Sequence, residues 1–197
     1  MRLSGDISTD ITKKLNAGLE YEHRFNKNLT AFEKAFIEPS ISYDIVKDFR
    51  FGASYRLALN QNASRNQKIQ QRGSAYLQYR FRFDDFRVRF RSIIQYGFDD
   101  LTNTTSGSNR NLINRNSVQV DYSIFGTKLR PFAKYELFYH INDPRGGIIN
   151  QQRASLGTQY RLSKSSTFSA FYMFENEMNI VKPVNSHILG LGYSFSF

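Results

Sequence analysis

From Leu15 to Phe197, apolar and polar residues alternate with period two through about ten segments. Leu15, Ala17, Leu19, Tyr21 and Phe25 open the series, and Phe49, Phe51, Ala53, Tyr55, Leu57 and Leu59 repeat it. Phe86, Val88, Phe90, Ile94 and Tyr96 carry it through the middle, and Tyr193, Phe195 and Phe197 close it. Period two puts successive side chains on opposite faces of a strand, so each segment predicts a strand with one apolar face. The connections alternate in length. Short turns fall at Val46–Asp48, Asp84–Asp85, Gly126–Lys128 and Ser163–Ser166. Longer polar loops fall at Asn26–Phe32, Gln61–Gln71, Asp99–Asn114, Asn142–Gln151 and Met178–Asn185. This is the layout of an all-β, antiparallel, up-and-down transmembrane barrel, with short periplasmic turns and longer extracellular loops. An even strand count would put both termini in the periplasm. Residues 1–197 read as one domain. In residues 1–13, Ile7, Thr9 and Ile11 continue the alternation, so this stretch is expected to extend the first strand or to form a separate N-terminal periplasmic segment.

Alternation alone does not say which face is outside, because a soluble lipocalin-like carrier alternates too. Three features place the apolar face outward. The polar face is rich in small residues, among them Gly52, Ser54, Gly157, Gly190 and Gly192, which leave room for long side chains inside a narrow barrel. Its charges are mostly arginine: Arg24, Arg56, Arg72, Arg80, Arg82, Arg87, Arg89, Arg91, Arg115, Arg130, Arg153 and Arg161. A guanidinium suits an enclosed network because its planar fork pairs with carboxylates. Glu20, Glu22, Glu38, Asp121, Glu136, Glu175 and Glu177 stand on the same face as partners. Aromatics also gather toward the strand ends, as the two membrane interfaces require. Phe36, Phe132, Phe138, Phe171 and Met173 fall on the polar side and are expected to help plug the interior.

The composition is consistent with this. Mean hydropathy is −0.51, and no apolar run approaches the ~20 residues of a membrane helix. A membrane barrel has such hydropathy because only alternate residues meet lipid. Cysteine is absent, and with three histidines no metal site or cofactor is expected. The net charge of +10 invites a nucleic-acid reading, but the arginines recur at strand spacing and form no basic run or binding motif. No nucleic-acid partner is therefore expected. The chain starts at Met1 without the apolar core of a signal peptide, which implies a mature or shortened form.

Tyr193, Phe195 and Phe197 alternate up to a C-terminal Phe, which resembles the signal that outer-membrane barrels present to the barrel-insertion machinery. A wider resemblance covers most of the chain. Arg130-Pro131-Phe132, Tyr135-Glu136-Leu137-Phe138, Gln152-Arg153-Ala154-Ser155-Leu156-Gly157, Tyr160-Arg161-Leu162 and His187-Ile188-Leu189-Gly190-Leu191-Gly192-Tyr193 carry it. Glu20-Tyr21-Glu22-His23-Arg24 and Gly52-Ala53-Ser54-Tyr55-Arg56 extend it more loosely. These stretches resemble a group of small outer-membrane barrels from Bacteroidota catalogued as a domain of unknown function. The sequence departs from that group at its start, where a tryptophan is expected in the opening strand. The resemblance implies a Gram-negative outer-membrane location and supplies no activity.

Four functions follow from these features. The first expectation is a non-enzymatic structural or accessory subunit of a larger envelope complex. The second is a lipid-modifying enzyme such as an acyl hydrolase, with His140, Glu136 and Ser155 as candidate catalytic residues. The third is a narrow anion channel lined by arginine, and the fourth is the soluble carrier. The expected lumen network comprises Arg24, Arg56, Arg80, Arg82, Arg87, Arg89, Arg91, Arg130, Arg153 and Arg161 with Glu20, Glu22, Glu136 and Glu175. Expected partners are outer-membrane lipid and lipopolysaccharide; Arg65, Lys68, Arg110, Arg145 and Lys182 in the outer loops could meet its phosphates, although ordinary solvated loops are the first reading of those charges.

Overall fold

The computed structural model describes residues 1–26, 31–61, 67–99 and 111–197. They form a closed barrel of eleven strands. In chain order these are β1 (Arg2–Asp10), β2 (Leu15–Asn26), β3 (Ala31–Val46), β4 (Phe49–Gln61) and β5 (Gln67–Phe83). There follow β6 (Phe86–Asp99), β7 (Asn111–Tyr122), β8 (Leu129–His140), β9 (Ile148–Arg161), β10 (Ser166–Glu177) and β11 (Asn185–Ser196). Sequence neighbours pair antiparallel throughout.

The count corrects the expectation of about ten. Arg2–Asp10 is neither an extension of the next strand nor a separate segment. It is a full barrel strand, turned into β2 by residues 11–14, where the Thr12 hydroxyl accepts from the backbone N–H groups of Lys14 and Leu15. With an odd count the last strand meets the first in parallel, and β1 pairs with β11 from Arg2↔Gly190 to Ser8↔Ser196. The expectation of both termini on one side fails for the same reason. The Met1 ammonium donates to the Phe25 carbonyl at the long-loop end. The Phe197 N–H donates to the Ser8 carbonyl at the short-turn end.

The turns follow from their residues. Asp48 and Asp84 take positive φ (70° and 47°), a conformation Asp tolerates better than most side chains, and each closes a tight hairpin. β5 begins earlier than the alternation suggests, so Lys68 lies in a strand rather than a loop. Arg65 and Arg110, expected in outer loops, lie outside the described residues.

The alternation assigns the faces as expected. Leu19, Phe51, Leu77, Phe90, Leu156 and Leu189 are exposed on the outer wall. Phe36, Phe138 and Met173 are buried in the lumen at 3%, 6% and 7% exposure. The inner-wall glycines give these rings their room. A Cβ on Gly190 would sit 2.1 Å from the Phe171 ring, and one on Gly157 would sit 2.7 Å from the Phe132 ring. The barrel keeps its core in the lumen rather than between layers, around a polar cavity of about 470 Å³ lined by Arg24, Glu38, Arg56, Arg115, Glu136 and Arg153 among others.

Candidate functional site

All the arginines and glutamates expected in the lumen stand at inward register positions, yet they fall into two kinds. Toward the long-loop end and the middle, most cations meet a carboxylate, while Arg91 lies over a ring and Lys34 donates to Gln70. Arg24 Nε lies 2.5 Å from Glu22 Oε1. Glu175 Oε2 takes Arg153 Nε at 2.6 Å and an Arg2 terminal nitrogen at 3.2 Å. Glu38 is bound by Arg56 and, at 3.5 Å, by Arg72. Glu136, only 1% exposed, receives Arg115 at 2.5 Å and Lys134 Nζ at 2.8 Å. Several of these guanidiniums also lie over aromatic faces: Arg56 over Phe36 at 3.4 Å and Arg153 over Phe138 at 4.5 Å. Arg91 lies over Tyr76 at 3.8 Å.

Toward the short-turn end the balance changes. Arg80 faces Arg89 and Arg82 faces Arg87 across the β5–β6 hairpin, all four inward. Asp121, 1% exposed, sits 3.6 Å from Arg89 and accepts from Gln119 at 2.9 Å. Arg50 is held by Asp44 in a bidentate pair at 2.6 and 2.8 Å. Among the described residues, Arg80, Arg82, Arg87, Arg130 and Arg161 reach no carboxylate within 4.0 Å. A hollow of about 440 Å³ opens beside Arg130 and Arg161, lined also by Lys128, Gln159, Lys164 and Thr167 among others.

The catalytic candidates are not brought together. Ser155 lies opposite Lys134, while His140 lies opposite Ile148 at the far end of the same strand pair. At ~3.3 Å per residue, the six steps from Lys134 to His140 put ~20 Å between His140 and Ser155, far beyond hydrogen-bond reach. His140 Nδ1 is 3.7 Å from Asp143 instead, and Glu136 is occupied by Arg115 and Lys134. The Ser155 hydroxyl has no hydrogen-bond partner among the described residues.

Two groups escaped the sequence reading. Arg2 and Asp6 face the lumen from β1, and their alternation with Leu3 and Ile7 was a usable signal once residues 1–13 are taken as a strand. The other is on the outer wall. Ser92, Asn114 and Asn116 occupy lipid-facing positions, with Ser92 opposite Asn116 and Ile94 opposite Asn114. The Asn114 amide donates to Ser92 Oγ at 3.2 Å, and the Asn116 amide donates to Asn114 Oδ1. No described donor reaches Asn116 Oδ1. An apolar groove of about 360 Å³ runs beside them, lined by Leu77, Tyr79, Phe90, Val118, Tyr135 and Leu137 among others.

Residues 3–183 match a family described as "Protein of unknown function (DUF2490)". The chain belongs to that family. No curated protein matches this DUF2490 chain. Two solved structures are similar to it in fold. A bacterial polysaccharide outer-membrane secretin aligns with a TM-score of 0.59 and 11% identity, over 93% of this chain and 63% of that one. The DUF2490 chain thus spans less than two thirds of that secretin's length. The β domain of the Bordetella autotransporter Brka aligns with a TM-score of 0.57 and 11% identity, over 93% of this chain and 82% of that one. At such identity the likeness shows the fold, which is that of an outer-membrane β-barrel.

Proposed function

We propose that this DUF2490 barrel resides in a Gram-negative outer membrane as a non-enzymatic structural or accessory subunit of a larger envelope complex. The short-turn end faces the periplasm, which puts Phe197 there and residue 1 at the outer face. Tyr193, Phe195 and Phe197 present the insertion signal, with Tyr193 and Phe195 on the outer face of β11. Outer-membrane lipid and lipopolysaccharide surround the apolar wall, and Arg145 and Lys182 meet lipid phosphates from the outer loops.

The observation that carries the accessory role is the Ser92–Asn114–Asn116 patch beside its apolar groove. Amide groups facing hydrocarbon are costly unless their hydrogen-bonding capacity is met. Membrane segments use such groups as glue between neighbours. A second membrane-spanning wall that fills the groove and donates to Asn116 Oδ1 would satisfy both needs. The separation of His140 from Ser155 gives the hydrolase reading no support.

Mild-detergent extraction from native outer membranes, with mass spectrometry of whatever stays attached, tests this reading. A stoichiometric membrane partner is expected, and Asn114→Leu with Asn116→Leu should release it while the barrel still inserts. A barrel that always runs alone, or a partner retained by the double variant, ends the proposal.

A further inference from the structure

We infer that the short-turn end of the lumen is a binding site for a multiply charged, phosphate-bearing anion. This inference is independent of the outer-wall patch and of the accessory role. It starts from an imbalance that folding should have avoided. Like charges directly opposite in a sheet destabilise it, yet Arg80↔Arg89 and Arg82↔Arg87 are consecutive inward pairs on one hairpin. Asp121 stands opposite Arg87 on β7 and lies 3.6 Å from Arg89. Elsewhere in the lumen Arg2, Arg24, Arg56, Arg72, Arg115 and Arg153 each reach a carboxylate, and Arg91 lies over the Tyr76 ring.

A second observation is separate from the charge. The Nε–H groups of Arg80, Arg87, Arg89 and Arg130 are shielded from solvent and meet no acceptor among the described residues. A shielded donor without an acceptor is costly, and an oxyanion supplies several acceptors at once. The third observation is room. The hollow of about 440 Å³ holds Lys128, Arg130, Arg161 and Lys164, with no carboxylate among its lining residues. That volume falls within the usual range of small-molecule sites. Among the described lumen acids without an ion pair, Asp6 and Glu20 face each other on the β1–β2 wall and line a different hollow, and Asp10 accepts from Asn16 at 3.0 Å.

Arginine forks match the geometry of a phosphate oxygen pair, and lysines add point charge at the mouth. Arg130 and Arg161 would grip the anion at the entrance, with Arg87 and Arg82 behind them. Phe132, next inward on β8 from Arg130, lays its ring against Gly157. The lining of the hollow reaches no deeper than Arg130 and Gln159, so the site is a pocket at the end of the lumen. Its anion comes either from solution at the short-turn end or from the phosphate of a lipid headgroup.

The test is titration calorimetry of the purified barrel in neutral detergent, using inorganic pyrophosphate, with a parallel thermal-unfolding series. Saturable binding is expected, weakening as salt rises. Arg130→Gln with Arg161→Gln should weaken it by about tenfold or more, because charge-assisted hydrogen bonds are lost. Lys34→Gln, at a lumen lysine toward the long-loop end, should leave it unchanged. The double variant should unfold at the same or a higher temperature than the parent without ligand, since it relieves repulsion, and should lose the stabilisation that pyrophosphate gives the parent. A second arm uses nanodiscs with and without a phosphate-monoester lipid. Competition between that lipid and pyrophosphate assigns the source to a headgroup, and its absence assigns the source to solution. No saturable binding by either probe, or binding indifferent to Arg130 and Arg161, overturns the inference.

Discussion

Arg153 and Arg161 stand on the same strand and face the same lumen. Arg153 is locked to Glu175 at 2.6 Å and lies over Phe138. Arg161 meets no carboxylate within 4.0 Å among the described residues and edges an open basic hollow. The contrast extends to whole halves of the barrel. In the long-loop half, arginine lies against carboxylates and rings: Glu38, Glu136 and Glu175 each hold two cations, and Phe36 and Phe138 take the flat sides of guanidiniums. In the short-turn half, arginine accumulates beyond its partners. One half spends its charge on holding the barrel shut, while the other leaves its charge available for something external.

The largest effect is expected where neutralisation is most buried. Glu136→Ala would leave Arg115 and Lys134 together without their shared carboxylate. Removing one member of such a buried cluster costs about 3–5 kcal/mol. Chemical unfolding followed by the gel mobility of folded and unfolded barrel would measure it, and a loss under 1 kcal/mol would mean that the cluster is solvated. Glu175→Gln should cost less, about 1–3 kcal/mol, because its amide still accepts from Arg2 and Arg153. In the other half the sign should reverse. Arg82→Gln removes one of two facing like charges and should be neutral or stabilising by up to ~1 kcal/mol. If it instead destabilises as Glu136→Ala does, the two halves are one network and the contrast is broken.

The smallest effect lies in the loop between β8 and β9. Arg145 donates from its side chain and its backbone to Asp143, which holds that carboxyl down to about 2. A depressed carboxyl stabilises the loop above the ordinary carboxylate range, and this contribution fades as pH falls toward 2. A carboxyl titration by NMR should show Asp143 returning toward normal in Arg145→Gln. Barrel stability should barely change, in contrast to the lumen pairs.

The strand positions, the apolar outer face and the filling by Phe36, Phe138 and Met173 were legible because period two is local. The side of a strand on which a residue falls depends only on parity within that strand. The same parity placed every expected arginine and glutamate in the lumen. It missed the outer patch because Asn114 and Asn116 interrupt the alternation ahead of Val118, so Asn114 reads as the end of the Asp99–Asn114 loop although β7 already begins at Asn111. It proposed His140 with Ser155 because chain position says nothing of register across a strand pair.

The sequence by itself determined an alternating, arginine-lined, all-β wall with short turns at one end and long loops at the other. The tertiary structure decided the strand count, the parallel β1–β11 closure, the opposite ends for the two termini and the division of the arginines into paired and unpaired. Those properties arise only when the sheet meets itself. Closure sets which distant strands face each other across the lumen, and register shifts near Phe25, Val46 and Tyr139 change those pairings. A carboxylate neutralises an arginine within a few ångströms, a distance set by the closed barrel rather than by separation along the chain.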